Sequence, residues 1–340
     1  MAEILVSIVM ATLNEEEYIE RCMSSLLAQQ NVPGEYEVLV FDGGSEDRTL
    51  AILQDIAKRD HRVRLLKNPA RIQVCAFNMG LKEARGEYIA VVGAHAEYDV
   101  DYISACLGVL EATGATNVGG LKTPVGEGCV GQAIAWAISS PLGKGPSRQV
   151  RHEEFAHNVF GFFGRKSALE AVGGFDEKYV TDEDTELNYR IRQAGGKVIV
   201  SPKIHFKYYV RKSLRAFWRQ AFGYGFGEAQ THHNCAGSLR IGQMPRPLLI
   251  VGTSVSLAWL AIRPSWPALI VPLAYLLFAL AGGLVALWDT RSLKVAILAP
   301  LALAALHFPG GLGWWFGVRR FGLPNLSPSG TGRGRVHKEA

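Results

Sequence analysis

The stretch EVLVFDGGSEDRTLAILQDIAKR, residues 37–59, decides the fold. Its first part, Glu37–Asp42, is apolar and partly β-branched, which is typical of a buried strand. Its last part, Asp47–Arg59, is amphipathic and predicts a helix, for which Ser45 is the expected N-cap. A strand that passes through a glycine turn into a helix is the first half of a βαβ unit.

The same alternation continues on both sides of this stretch. Further strands are predicted at Leu5–Thr12, Val63–Leu66 and Tyr88–Val92, and helices at Ile19–Gln29 and Gln73–Arg85. Strands separated by helices of this length predict an α/β domain with a mixed, mainly parallel sheet. Such sheets bind ligands at the carboxyl ends of their strands, so the polar residues that follow each strand are candidates for a site.

The C-terminal part of the chain has a different chemistry. Leu248–Ile262, Pro267–Trp288 and Leu293–Val318 are apolar, and the second is close to the ~20 uncharged residues that a membrane crossing needs. Because the third is interrupted by His307 and Pro309, we expect two to three transmembrane helices. Buried core helices are the alternative, which the full uncharged span of the second segment disfavours.

Lys212–Phe222 joins the two parts of the chain. Apolar residues recur in it at helical spacing: Leu214, Phe217, Trp218, Ala221 and Phe222. A basic amphipathic helix with a bulky apolar face is typical of one that lies in the membrane interface. An ordinary surface helix packed on the domain is the alternative.

These changes divide the chain into four predicted regions. They are an α/β domain at 1–205, amphipathic interface helices at 206–244, transmembrane segments at 245–320 and a disordered basic tail at 321–340. Three crossings would place Arg319 and Arg320 opposite a cytoplasmic N-terminal domain, against the positive-inside tendency. If the first or third segment is re-entrant or interfacial, the tail returns to the cytoplasm.

Charge and cysteine content exclude two classes of protein. A formal net charge of +5 over 340 residues does not suggest a nucleic-acid binder, and no nucleic-acid partner is expected. The five cysteines are scattered without metal-type spacing, which predicts reduced thiols in a cytosolic setting rather than a disulfide framework.

Polar residues follow the first two strands and precede the third helix. Thr12, Asn14 and Glu15 follow the first strand, and Asp42 ends the second. An Asp followed by glycines and a helix is well placed to accept hydrogen bonds from a base or ribose, although many α/β proteins have Asp-Gly turns for structural reasons alone. Arg71 lies at a helix entry, where a guanidinium suits a diphosphate; a surface arginine is the alternative.

Two further groups of residues could carry chemistry. His95 and Glu97 follow the strand Tyr88–Val92, where carboxylates would hold a divalent ion against a diphosphate. Glu183 and Asp184 belong to an acidic run at a predicted helix start, and one of them could remove a proton from a hydroxyl. A structural loop histidine and an ordinary acidic first turn are the alternatives.

The order of these elements resembles glycosyltransferase family 2, which has a GT-A fold, over Val6–Gly227. The resemblance implies that Asp184 of the Glu183-Asp184 pair is the catalytic base. It implies a nucleotide pocket formed by Thr12, Asn14, Glu15, Asp42 and Arg71. It also implies acceptor-side roles for Gly174 and Phe175 of a Gly-Gly-Phe turn, and for Arg219, Gln220 and Tyr224 of a motif at the membrane.

One position departs from the family pattern. The family's motif for Mg²⁺ or Mn²⁺ usually begins with Asp, and Gly93 stands at that position here. The resemblance leaves His95 as the metal ligand, with Glu97 as a possible partner. Cations such as Arg71 could replace the metal instead, or the enzyme could be impaired.

The surroundings of His95 and the segment with His307 look like the ExoA-type subgroup, whose members add glucose to lipid-linked exopolysaccharide units in bacteria. The expected function is inverting transfer from a nucleotide-sugar such as UDP-glucose to a lipid-linked or polysaccharide acceptor. The expected partners are that donor, the acceptor and membrane lipid. The expected location is the cell inner membrane, as a multi-pass protein with a cytoplasmic catalytic domain.

Three other functions are alternatives to this one. A catalytically impaired scaffold of a polysaccharide-assembly complex is favoured by Gly93 and disfavoured by the intact Asp42 and Glu183-Asp184. A polyprenyl-phosphate sugar synthase would need no carboxylate base. A processive polysaccharide synthase normally has a QxxRW motif, which the sequence lacks.

Overall fold

The structure is a computed structural model that describes residues 3–143 and 150–327. The strands are β1 (Ile4–Thr12), β2 (Glu35–Asp42), β3 (Val63–Lys67), β4 (Tyr88–Gly93), β5 (Ala96–Tyr98), β6 (Asn117–Val125), β7 (Glu154–Phe155), β8 (Phe162–Arg165) and β9 (Val198–Tyr209). The helices of the same domain are α1 (Ile19–Leu27), α2 (Thr49–Arg59), α3 (Gln73–Glu83), α4 (Tyr102–Thr113), α5 (Gly128–Ser139), α6 (Lys166–Ala171) and α7 (Glu183–Gln193).

The strands form two sheets. The larger has the order β3-β2-β1-β4-β8, in which β1 to β4 are parallel and β8 is antiparallel. The smaller has the order β5-β9-β6, with β6 parallel to β9 and with β5 and β7 antiparallel to it. The predicted α/β fold with a mixed, mainly parallel sheet is therefore confirmed. Strand β9 extends to Tyr209, so the boundary predicted at residue 205 falls inside a strand.

Strand β1 lies at the centre of the larger sheet and is buried on both faces. Ile8 and Met10 belong to one hydrophobic cluster, and Val9 between them belongs to another. Because helices cover both faces of a parallel sheet, its strands are apolar throughout rather than alternating.

Helix α2 begins at Thr49, and Ser45 is not its N-cap, contrary to the prediction. Arg48 occupies the N-cap position, where no side chain caps the helix. The Ser45 hydroxyl instead donates to Asp42 Oδ1 at 2.6 Å. The short polar side chain thus stabilises the turn before the helix rather than the helix itself.

Up to residue 327, the α/β domain is followed by the α-helices α8 (Leu214–Asn234), α9 (Pro245–Ile262), α10 (Ile270–Thr290) and α11 (Leu293–Phe321). The last three are long and apolar enough to cross a membrane. In their most apolar windows 11% of α9 and 17% of α10 are buried, but 61% of α11 is. Helices α9 and α10 therefore expose apolar side chains as lipid-facing helices do, while α11 is largely enclosed by protein.

Helix α11 is continuous, so the predicted interruption of the third segment is wrong. Pro300 and Pro309 lie inside it, and the glycines after Pro309 serve packing. A Cβ on Gly225 of α8 would lie 1.9 Å from the Gly310 carbonyl oxygen. The two helices therefore touch through their glycine backbones, and this close contact supports α11 where proline removes a hydrogen bond.

Helix α8 is the predicted amphipathic helix and is longer than predicted. Ser213 is its N-cap, and its Oγ accepts from the backbone N–H of Ala216 at 3.2 Å. Phe217 is buried against α5 and α11, whereas Trp218 is exposed. One part of the apolar face of α8 therefore packs on the protein, and another part is exposed at the surface.

The cysteines and the start of the C-terminal tail are both defined in the structure. The five cysteines are free, as expected for reduced thiols. The predicted disordered tail begins as a defined segment, because the backbone N–H of Asn325 donates to the His232 carbonyl at 2.8 Å. The rest of that tail, 328–340, lies outside the described residues.

Candidate active site

The loops after β1 and β2 are tied together at the carboxyl edge of the larger sheet. The backbone N–H of Asn14 donates to Ser45 Oγ at 3.0 Å, and Asn14 Oδ1 accepts from the backbone N–H of Glu46 at 2.8 Å. The backbone N–H of Glu15 donates to Thr49 Oγ1 at 2.7 Å. Asn14 has a φ of 54°, a left-handed conformation that asparagine tolerates. These contacts fix the shape of the predicted nucleotide pocket.

Asp42 uses most of its carboxylate to hold its own turn. Its Oδ2 accepts from the backbone N–H groups of Gly44 at 2.9 Å and Ser45 at 3.1 Å, and its Oδ1 accepts from Ser45 Oγ at 2.6 Å. A carboxylate has about four acceptor positions, so one remains for a donor on a ribose or base. The contact predicted between Asp42 and the nucleoside stays a prediction.

Arg71 and Thr12 belong to the same edge of the sheet. A Cβ on Gly43 would lie 3.6 Å from Arg71 Cα. The Arg71 guanidinium is half-exposed and 3.7 Å from Glu46 Oε1, a loose surface pair that allows it to turn toward a ligand. The Thr12 carbonyl accepts from the backbone N–H of Gly43 at 2.9 Å, but its hydroxyl is buried without a hydrogen-bond partner among the described residues.

His95 follows β4 and faces the loop after β1. Its Nδ1 is 3.1 Å from Glu15 Oε1, so a predicted metal ligand contacts a predicted nucleotide-binding residue. Glu97 does not join them. Its Oε1 accepts from Lys207 Nζ and its Oε2 from the Tyr209 hydroxyl, both at 2.7 Å.

These side chains do not fit a metal site held by the protein alone. Mg²⁺ and Mn²⁺ prefer several oxygen ligands, mostly carboxylates. In the part of the chain that the structure describes, no three side chains of ligand type are grouped closely enough to hold a metal ion. Gly93 offers no ligand, and Glu15 is engaged with His95. A metal ligand role for His95 stays a prediction from the family resemblance.

Asp182 opens an acidic cluster at the start of α7. Its backbone is left-handed, with a φ of 67°. Its Oδ1 accepts from Thr185 Oγ1 at 2.7 Å and its Oδ2 from Thr231 Oγ1 of α8 at 2.6 Å. Burial, and then the negative charges of Asp184 and Glu228, raise the pKa of Asp182 to about 7.

Glu183 and Asp184 have different surroundings, although they are neighbours. Glu183 Oε1 accepts from Gln73 Nε2 of α3 at 3.1 Å, and Asp184 Oδ1 accepts from the backbone N–H of Thr185 at 2.7 Å. Burial raises the pKa of both carboxyl groups, and the charge of Asp184 raises that of Glu183 further. The positive charge of Lys122 opposes the increase at Asp184, which leaves Asp184 the better candidate for the base.

The Gly-Gly-Phe turn is held by α3. Gly174 has a φ of 71°, and a Cβ there would lie 2.8 Å from Asn78 Oδ1. Asn78 also accepts from the backbone N–H of Phe175 and donates to its carbonyl, both at 2.9 Å. The Phe175 ring is 3% exposed and packs on Phe77, so core packing occupies the side chain, and the acceptor contacts predicted for this turn stay predictions.

Tyr208, which the sequence did not single out, connects the two ends of the cleft. Its hydroxyl accepts from Gln220 Nε2 at 3.0 Å, and its ring lies 5.0 Å from the His95 ring. Tyr224 is adjacent: burial, followed by the nearness of Tyr208, raises the pKa of Tyr224. Arg219 is exposed on α8. The pair of tyrosines that ends β9 was the signal that could have revealed this residue.

A cavity of about 200 Å³ lies beside His95. It is lined by Glu17, Tyr18, His95, Tyr209, Val210, Arg211, Lys212, Ser213 and Ala216. A larger cavity, of about 830 Å³, lies between α7, α8 and the end of α11, and none of the predicted site residues lines it. The small cavity brings the N-terminal end of α8, with its basic residues, next to the predicted diphosphate position.

Comparison with known proteins identifies relatives along almost the whole chain. The model of the family described as Glycosyl transferase family 2 matches residues 7–173, and that of Glycosyl transferase family group 2 matches residues 159–307. The succinoglycan biosynthesis protein ExoA of Rhizobium meliloti (strain 1021) is 34% identical over 91% of this chain and 93% of its own length.

A second relative and a solved structure agree with this match. The dolichyl N-acetyl-alpha-D-glucosaminyl phosphate 3-beta-D-2,3-diacetamido-2,3-dideoxy-beta-D-glucuronosyltransferase of Methanococcus voltae is 31% identical over 65% of this chain and 71% of its own length. The mannosyltransferase PcManGT of Pyrobaculum calidifontis, solved with GDP-Man and Mn²⁺, has a TM-score of 0.59, 19% identity and coverage of 90% of this chain and 87% of its own. The likeness to PcManGT confirms the predicted GT-A fold.

Proposed function

Since the chain belongs to glycosyltransferase family 2 and is a glycosyltransferase that uses a nucleotide-sugar donor, we propose that its donor is UDP-glucose or a similar UDP-sugar and that its acceptor is a lipid-linked saccharide. The observation that carries the proposal is the contact between the acidic cluster and α8. Thr231 of α8 donates to Asp182, and Tyr224 of α8 lies within electrostatic range of Asp184. The helix that leads to the apolar segments thus forms one wall of the catalytic cleft.

The proposed reaction is a single displacement. An acceptor hydroxyl oxygen attacks the anomeric carbon of the donor sugar, and its proton passes to Asp184. The bond from the anomeric carbon to the diphosphate oxygen breaks, and its electron pair leaves with the nucleoside diphosphate. Attack from the side opposite the leaving group inverts the anomeric configuration. Asp184 suits the base because its burial favours proton uptake while Lys122 keeps its ionised form accessible.

The donor occupies the other end of the cleft in this proposal. The loops after β1 and β2 hold the nucleoside through Thr12, Asn14 and Asp42, and Arg71 faces the diphosphate. Two features support this: the unpaired Thr12 hydroxyl and the one remaining acceptor position of Asp42. Gln220 and Tyr224, which both contact Tyr208, form the acceptor side of the cleft in this proposal.

The test uses the full chain purified in detergent or reconstituted in lipid. Nucleoside diphosphate release is measured with a panel of UDP-sugars, each with polyprenyl-diphosphate-linked saccharides or with polyprenyl phosphate. Release that is fastest with one UDP-sugar and depends on a lipid-linked saccharide would support the proposal. Release that is as fast with polyprenyl phosphate alone would contradict it and favour a polyprenyl-phosphate sugar synthase.

The proposed topology places the catalytic domain and the end of α11 on the cytoplasmic side of the inner membrane. Both ends of α11 contact elements of the catalytic domain. At its start Val295 packs in one hydrophobic cluster with Trp136 of α5, and just before it Asp289 Oδ2, in the last turn of α10, accepts from Trp136 Nε1 at 2.9 Å. At its end Arg320 and Phe321 line a cavity with Glu186 of α7. A helix whose two ends contact one domain does not carry the chain away from it, so α9 and α10 are the crossing pair.

This topology also agrees with the charge pattern. Two crossings return Arg319 and Arg320 to the cytoplasm, as the positive-inside tendency favours. Protease sites placed at the N-terminus and at the C-terminus of the chain should be cleaved from the same face of sealed inner-membrane vesicles. Cleavage of the two sites from opposite faces would contradict the topology, and cleavage of both in detergent is the control for access.

A further inference from the structure

Gly93 leaves the cleft without the carboxylate that the family usually has at this position. A Cβ at position 93 would lie 3.5 Å from the end of the Phe160 ring, an ordinary contact distance. Gly93 therefore faces Phe160, and the place where the family usually has a carboxylate lies against that aromatic ring. His95 is paired with Glu15. A diphosphate beside His95 would therefore need a positively charged partner in addition to Arg71.

Lys122 is in a position to supply that charge. It lies on β6, and its Nζ is 5.3 Å from the centroid of the Phe160 ring and 4.6 Å from that of the Tyr208 ring. The Tyr208 ring in turn lies 5.0 Å from the His95 ring. The two aromatic rings that position the ammonium group are thus the ring that faces Gly93 and the ring that contacts His95. Cation–π contacts of this kind hold a lysine in place while it is partly desolvated.

The same ammonium group interacts with the catalytic end of the cleft. Its positive charge counteracts the increase that burial causes in the pKa of Asp184. Lys122 thus contacts the aromatic ring beside His95, and its charge also acts on the base Asp184. Lys122 was not among the site residues predicted from the sequence.

We propose that Lys122 binds the departing nucleoside diphosphate and takes over charge that a carboxylate-held metal would otherwise neutralise. When the anomeric C–O bond breaks, its electron pair stays on the diphosphate oxygen, and the Lys122 ammonium donates hydrogen bonds to that diphosphate while keeping its proton. An ammonium is a compact charge with three donors, which suits a diphosphate. The inference rests on the proposed function.

Three variants test it: Lys122→Met, Lys122→Arg and, as a matched control, Lys203→Met, whose ammonium is paired with Glu153 at the surface. Binding of UDP in EDTA, measured by calorimetry, needs no acceptor and therefore reports on Lys122 even if the proposed acceptor is wrong. We expect Lys122→Met to weaken UDP binding at least tenfold and Lys203→Met to leave it unchanged. Equal binding by the wild type and Lys122→Met would overturn the proposal.

Turnover supplies the second readout. Loss of one well-placed donor to developing negative charge typically costs about 10²–10³-fold in kcat, and we expect a loss in this range for Lys122→Met and a smaller one for Lys122→Arg. Wild-type turnover should survive EDTA. If Lys122→Met only moves the acidic limb of the pH profile and keeps the plateau, the lysine serves Asp184 alone and the proposal fails.

Gly93→Asp completes the test, because the ordinary contact with Phe160 leaves room for a side chain. If Lys122 replaces a metal, Gly93→Asp in the Lys122→Met background should recover turnover in Mn²⁺ and lose it again in EDTA. If a double variant that still binds UDP does not recover turnover in Mn²⁺, Lys122 does not replace a metal ion and the proposal is contradicted.

Discussion

The acidic residues at the two ends of the cleft have opposite roles. Asp42 accepts three hydrogen bonds within its own turn, which hold its side chain in place. The cluster of Asp182, Glu183 and Asp184 has carboxylates crowded together, and burial raises the pKa of each. A carboxyl group is thus a rigid anchor where hydrogen-bond donors surround it, and a proton acceptor where it is buried beside other negative charges.

The largest expected effect comes from removing the proton acceptor. Asp184→Asn keeps the shape of the side chain and removes its basicity, so kcat should fall by about 10²–10⁴-fold. Binding of UDP should stay within a factor of two, because Asp184 is at the other end of the cleft. Turnover is measured as acceptor-dependent UDP release, and binding by calorimetry.

Glu183→Gln is the matched control for Asp184→Asn. Glu183 accepts from Gln73 on α3, and its loss should reduce turnover far less than that of Asp184. If the two variants lose turnover equally, the distinction between neighbouring acids fails. A near-normal kcat for Asp184→Asn would remove this residue from the mechanism.

A smaller effect is expected at the anchor. Asp42→Asn replaces one acceptor oxygen by an NH₂ group. When the amide oxygen keeps the backbone N–H groups of Gly44 and Ser45, the NH₂ group cannot accept from the Ser45 hydroxyl. An unsatisfied donor costs roughly 1–3 kcal/mol, so the turn should loosen and KM for the donor should rise about tenfold with a smaller change in kcat. Ser45→Ala, which removes one hydrogen bond from the same carboxylate, should give a weaker change of the same kind. A fall in kcat at unchanged KM would mean that Asp42 takes part in the chemistry instead.

The sequence predicted the α/β domain well because the order of strands and helices is a local property. β1 to β4 and the turn at Asp42 follow from apolar runs that end in polar residues. Ser45 was misassigned because a short hydroxyl side chain can stabilise either a turn or a helix start, and only the tertiary contact with Asn14 decides. The continuity of α11 was missed because proline and glycine usually interrupt helices, and the packing of α8 on α11 is not visible along the chain.

Lys122 and Tyr208 were missed for a related reason. Both lie on strands of the smaller sheet, where each looks like an ordinary alternating residue. They reach the cleft only because β6 pairs with β9 and brings the Lys122 ammonium over the Tyr208 ring. Pairing between strands that are far apart in the chain cannot be deduced from a single sequence, because the motifs recognised in it are local turns.

The smallest expected effect is the pH dependence of stability from Asp182. Its pKa is raised to about 7 in the folded protein, so the folded state holds a proton more tightly than the unfolded chain does. This contributes stability that is present at low pH and is lost as pH rises toward 7. Relative to Asp182→Asn, the wild type should therefore lose a few degrees of Tm between about pH 4 and pH 7, as measured by differential scanning fluorimetry in detergent.

The control is Asp101→Asn, which changes an exposed acid before α4 and should leave the pH dependence of Tm like that of the wild type. Turnover should instead increase as pH rises, because Asp184 must lose its proton to act as a base. The acidic cluster would then gain activity as it loses stability. If Asp182→Asn and the wild type show the same pH dependence of Tm, Asp182 does not hold its proton in the folded state, and the contrast with Asp42 must rest on Glu183 and Asp184 alone.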